Sequence, residues 1–192
     1  MESCRDITID AFNEYVMGLR RSDEFDARLT LTTFDSTSID TLAHAEPAKS
    51  LLELTRRNYV PRASTPLLDA IGHAVADMDK ISPRTDEKIA LVILTDGHEN
   101  ASKEHTKETI RKLLADRQAT KNWLVTFLAA DIDAFNEAHA IGIDGGNYMA
   151  YSKGATRAAM KSVGAQHKRF VGSGNRSDAA FTPEERQQSK PE

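Results

Sequence analysis

One cysteine, Cys4, in 192 residues excludes an internal disulfide framework and suits a reducing compartment. Positive charge has no surplus. Lys and Arg number 25 against 29 Asp and Glu, for a net charge of −4, so there is no electrostatic footprint for nucleic acid or an anionic membrane. No apolar run approaches membrane-spanning length, and the opening MESCRDITID has no apolar segment of the kind a secretory signal needs. The expectation is a soluble, cytoplasmic protein. Neither phosphate-cradling glycine loop, G-x-x-x-x-G-K-[ST] or G-x-G-x-x-G, occurs, and the nucleophile elbow G-x-S-x-G is missing. Six histidines, at 44, 73, 98, 105, 139 and 167, include no H-E-x-x-H, which argues against zinc. His73 and His167 lie in or near helix stripes and read as structural. No internal repeat or low-complexity block stands out.

What is present fits one globular domain with room for a sizeable core: 40% hydrophobic and 28% charged residues. The organising stretch is IALVILTDGHEN, 89–100. Six apolar residues without polar alternation predict a strand buried on both faces. Asp96 falls just beyond its carboxyl end, where ligands sit in open α/β sheets. The plainer alternative is that Asp96-Gly97 simply makes a turn.

Around it the periodicity alternates. Ile9, Phe12, Val16 and Leu19 predict an opening helix, with Ser3 as N-cap and Asp6 in the first turn. Residues 27–34 and 37–42 read as a β-hairpin through Asp35-Ser36, and 50–57 as a short helical segment. In RASTPLLDAIGHAVADMDK, Ser64 or Thr65 is a good N-cap and Pro66 suits the first helical position. Leu67, Leu68, Ile71, Val75 and Met78 then form a core stripe. A loop over 81–86 feeds the central strand. Next come a helix over 102–117 anchored by Ile110, Leu113 and Leu114, a buried strand over 122–130 and a short helix over 134–140. GIDGG at 142–146 reads as a loop, 147–151 as a short strand. A last helix over 154–170 buries Ala159, Met160, Val163, His167 and Phe170. From Gly172 the chain is polar, with a solitary Phe181, and reads as a disordered tail. Strands alternating with helices imply an α/β fold with a mostly parallel sheet, the hairpin adding one antiparallel edge strand. Thr65 and Asp96 are hard oxygen ligands of the type Mg²⁺ accepts, although Thr65 read alone is a helix cap.

STPLLDAI, LVILTDGHENAS, TLTTFDS and the later WLVTFLAADIDAFNEAHAIGI and NYMAYSKGATRAAM together resemble the von Willebrand factor type A domain, in the small intracellular form found in bacteria and phages. The resemblance covers nearly all of 1–171 and leaves 172–192 as the tail. It implies a doubly wound, Rossmann-like sheet with helices on both faces. It also implies a metal-ion-dependent adhesion site, in which Mg²⁺ or Mn²⁺ at the top of the sheet grips a carboxylate of a partner protein. Thr65 and Asp96 match two of its three ligand loops, with Ser64, Gly97 and Asn100 in support.

The third loop, D-x-S-x-S after the first strand, occurs nowhere in the sequence. Met1 matches the residue just after that motif, so the resemblance implies an N-terminally truncated reading of a longer protein. The absent strand would lie in mid-sheet, between the hairpin and 89–94. Its loss removes core side chains worth roughly 1.5–3 kcal/mol each, against a net stability of about 5–15 kcal/mol. Strand donation from another chain, or direct pairing of the two inner edges, would repair the gap. The expectations are therefore a protein-binding module with impaired metal binding, or a metal-independent interaction scaffold. A magnesium-dependent phosphohydrolase using Asp96 is disfavoured, because no second carboxylate motif accompanies it.

Overall fold

The computed structural model describes residues 5–62, 64–81, 87–120, 122–130 and 134–190, with the side chains at 134 and 135 left aside. The expected N-cap Ser3 and most of the 81–86 loop lie outside these residues. Three strands, β3 (Ile89–Thr95), β4 (Trp123–Ala129) and β5 (Tyr148–Ala150), form a parallel sheet in the order β3-β4-β5. A separate antiparallel hairpin joins β1 (Arg28–Phe34) to β2 (Ile39–Pro47). Among the described residues the architecture is mixed α/β with two sheets.

Strand β4 organises the core, because every one of its residues is buried. Its side chains alternate, as the period of two requires. Trp123, Val125, Phe127 and Ala129 join Leu67, Leu68, Ile71 and Val75 of α2 (Leu67–Ile81) and Ile110 and Leu114 of α3 (Lys107–Ala119). Leu128 faces the other way, towards Ala11 of α1 (Arg5–Arg20) and Ala159, Met160 and Val163 of α5 (Thr156–Ser173). Between them Thr126 donates to Gln166 Oε1 (2.7 Å), and Gln166 Nε2 donates to Asn147 Oδ1 (3.2 Å). Helices therefore cover both faces of the parallel sheet.

The strand read as buried on both faces, β3, is only partly so: Ile93 and Thr95 are buried, the rest half-buried or exposed. It pairs with β4 alone, and among the described residues no strand lies on its other side. Six apolar residues in a row predict burial of the faces, which β3 shows only in part, and say nothing of whether the edges are paired.

Other differences have local causes. Residues 50–57 form no helix. Their carbonyls are taken by α1 side chains: Asn13 Nδ2 donates to Leu54 O (2.9 Å), Arg20 to Leu51 O and Arg5 to Arg56 O. Asn13 Oδ1 also accepts from Leu54 N (2.8 Å). Strand β2 runs to Pro47, past a register irregularity opposite 29–32. Helix α3 starts five residues later than the periodicity suggests, after a Thr106–Thr109 capping box. Helix α4 (Ala134–Ala140) lies where expected.

The segment from Gly172 is not a solvated tail. Gly174 ends α5 in the left-handed region (φ 66°). A 3-10 turn over Arg176–Ala179 and helix α6 (Pro183–Ser189) follow. Ala179 and Phe181 are buried. Arg186 donates to Tyr148 O (2.6 Å) and Gly145 O (2.7 Å), and Arg169 forks onto Glu185 at 2.9 Å. Spacing along the tail could not show this, because each partner is distant in sequence.

Candidate functional site

The carboxyl end of β3 meets the start of α2. Thr95 closes the turn, its hydroxyl donating to Gly97 O (2.9 Å) and accepting from Gly97 N (3.2 Å). The Thr65 hydroxyl presses on this turn so closely that a Cβ on Gly97 would lie 2.7 Å from Thr65 Oγ1. Gly97 is needed here for space. Asn100 clamps the other strand of the loop: its Oδ1 accepts from Thr65 N (2.9 Å), and its own N–H donates to Thr65 O (3.2 Å). Thr65, Asp96, Gly97 and Asn100 therefore converge. Ser64 lies a step away, on the wall of a cleft of about 350 Å³ between the 35–38 turn and Pro66, Ala101 and Lys103.

Neither Ser64 nor Thr65 caps α2. Its first N–H groups are orphan donors, and residues from the loop after β3 satisfy them. Leu68 N donates to Glu99 Oε2 (3.0 Å) and Ser102 Oγ (3.0 Å), and Asp69 N to Ser102 Oγ (3.1 Å). Glu99 also accepts from Ala101 N and Ser102 N. Asp69 returns the clasp by accepting from Lys103 N (2.7 Å), His105 N (2.9 Å) and Glu104 N (3.0 Å). Burial pulls both carboxyls upward, but the backbone N–H groups outweigh it and hold Asp69 and Glu99 below their ordinary ranges. Asp35 is likewise spent. It takes bonds from Thr37 N, Thr37 Oγ1 and Ser38 N and pairs with Arg62 at 2.8 Å, which together overcome its desolvation.

Asp96 is different. Its carboxylate is 11% exposed, and Lys153 Nζ stands 3.8 Å from Oδ2. Lys153 opens the 3-10 turn Lys153–Ala155 ahead of α5. A half-exposed ammonium beside this acidic residue opposes a second, divalent cation there. Thr65 contributes a neutral oxygen, and the nearby carboxylates already hold backbone. Mg²⁺ gives up its waters reluctantly and wants near-octahedral oxygen ligation. The residues described do not fit a high-affinity divalent site. What they do form is a loop face fixed by its own hydrogen bonds.

Sequence reasoning found Thr65, Asp96, Gly97 and Asn100 but missed Asp69, Glu99 and Lys153. An acid in the first turn of α2 was a signal for Asp69; nothing local marks Lys153. Comparison of the chain with family models, curated proteins and solved structures returned no match.

Proposed function

We propose that this protein is an interaction module of the von Willebrand factor type A kind, with a doubly wound, Rossmann-like layout. It binds a protein partner at the loop face beyond β3 without needing a divalent cation. The observation that carries this reading is the Lys153 ammonium at 3.8 Å from the Asp96 carboxylate. It supplies the positive charge that a bound cation would otherwise bring to that acid. Asp69, Glu99 and Asn100 support it by fixing the loops internally. Asp69 and Glu99 are spent on backbone N–H groups, which counts against their acting as general acid or base beside Asp96 in a phosphohydrolase.

A second reading, in which Mg²⁺ or Mn²⁺ bridges Thr65 and Asp96 to a partner carboxylate, is favoured by the convergence of those two loops on Gly97. Thermal melting and calorimetry with each cation separate the two. The expected result is an unchanged melting temperature in the native protein. A stabilisation by Mg²⁺ that disappears in Asp96→Ala would replace the first reading with the second.

A further inference from the structure

Helix α1 packs chiefly on α5. Thr8, Ala11 and Tyr15, three and four residues apart, lie on one face of it. Ala11 and Tyr15 join Ala159, Met160 and Val163 of α5 in the core that holds Leu128 and Met149. The Tyr15 ring rests on Gly164, its Cδ2 4.0 Å from where a Cβ on that residue would stand. Elsewhere on α1, Arg5, Asn13 and Arg20 donate to the carbonyls of Tyr59 (2.8 Å), Leu54 (2.9 Å) and Ala48 (2.8 Å). The 48–59 segment is therefore tied to α1 by its backbone.

An imidazole sits in this contact. His167 of α5 is 7% exposed, and its Nδ1 lies 3.0 Å from Tyr15 Oη, with the two rings meeting edge-on at 5.9 Å. Its Nε2 and Thr8 Oγ1 are both buried without a hydrogen-bond partner among the described residues. Each unpaired atom destabilises the closed contact, and a proton on Nε2 would add an unpaired charge, which costs more. The titratable group facing the imidazole is Tyr15. Charged side chains of the neighbouring elements are turned elsewhere: Glu14 to Arg157 (3.1 Å), Glu24 to Lys168 (3.0 Å) and Glu185 of α6 to Arg169 (2.9 Å). Asp10, Lys161 and Asp178 are exposed. Strand β4 meets α5 here through the neutral pair Thr126 and Gln166. Burial is accordingly what lowers the His167 pKa from 6.5 to about 4.

We propose that His167 makes the α1–α5 contact an acid-sensitive latch, whose protonation frees α1, together with the 48–59 segment, from α5 and the sheet. Once α1 has left, the imidazole is hydrated and its proton affinity returns towards the ordinary value. The open form then binds the proton more tightly than the closed one, so opening gains with each fall in pH between 6.5 and 4. From pH 7 to pH 5 the opening equilibrium rises about twentyfold. Release uncovers Val92, Leu94, Leu128 and Met149 on one face of the parallel sheet, an apolar surface shown only in acid. The latch does not rest on the loop-face reading, because the loops beyond β3 keep their own clasp on α2.

The test is hydrogen exchange of the full chain at pH 7 and pH 5, read by mass spectrometry and corrected for intrinsic rates. Protection of 5–20 and 48–59 should fall together by about twentyfold, while 123–129 stays better protected than either at pH 5. His167→Gln should remove the fall. Tyr15→Phe keeps the ring contact and loses the 3.0 Å bond, so it should open α1 more readily at pH 7 and retain the pH response. In the native protein, the His167 ring signal followed by NMR should titrate in step with α1 opening, which keeps the test independent of how the variants fold. Loss of α1 and β4 protection in a single transition would overturn the proposal. So would unchanged α1 protection, an undiminished fall in His167→Gln, or titration of the ring with α1 still closed. None of these readouts depends on Mg²⁺ or on Asp96→Ala, so the loop-face reading stands or fails separately.

Discussion

His167 on α5 and Tyr15 on α1 form a buried pair, Tyr15 Oη to His167 Nδ1 at 3.0 Å, while His167 Nε2 has no hydrogen-bond partner among the described residues. Burial disfavours the imidazolium and lowers the His167 pKa from 6.5 to about 4; it also raises that of Tyr15. The sign follows directly. The folded state binds the proton more weakly, so below pH 6.5 the unfolded chain protonates first and stability falls as pH drops towards 4. At about 1.4 kcal/mol per unit, the loss is on the order of 3 kcal/mol. Urea denaturation at pH 7 and pH 5 should show this slope, and His167→Gln should flatten it. An undiminished slope in that variant would place the acid sensitivity elsewhere. The sequence identified His167 as structural from its place in a helix stripe. It did not identify Tyr15 as its partner, 152 residues away.

Among elements, α2 shows where local rules suffice and where they stop. Its apolar stripe was legible because 3.6-residue periodicity directly reports a buried face. Its cap was not, since Glu99 and Ser102 reach it from another loop. The reciprocal clasp by Asp69 gives a clear expectation. Asp69→Ala strands three backbone N–H groups at 103–105 and should cost about 1–3 kcal/mol, the range for donors losing a charged acceptor. Amide exchange at 103–105 should rise ahead of global unfolding. A variant as stable as the parent, with those amides still protected, would show that water replaces the carboxylate at no cost. The same reasoning explains the late start of α3: residues 102–105 give their N–H groups to Glu99 and Asp69, so the helix begins only after Thr106.

For the whole molecule, the segment beyond Gly174 belongs to the core. Phe181 packs in the cluster of Leu128, Met149 and Met160, and its N–H donates to Gly146 O at 2.9 Å. Phe181→Ala should therefore cost about 3–5 kcal/mol, as for other buried Phe truncations, measured by denaturant unfolding. A solvated tail would lose less than about 0.5 kcal/mol. By itself the sequence determined the order of helices and strands from α1 to α5 apart from the segment at 50–57, and the core stripes of α2 and α5, while motif resemblance singled out the loops at Thr65 and Asp96. These rest on periodicity, turn chemistry and motif, which act over a few residues. The tertiary structure alone decided that β4 rather than β3 is the fully buried strand. It alone brought Lys153 to Asp96, docked α6 and kept β1 apart from β3. Each of these depends on which surfaces meet across long sequence separations, and a hydrophobic pattern states that a face is buried without naming what buries it.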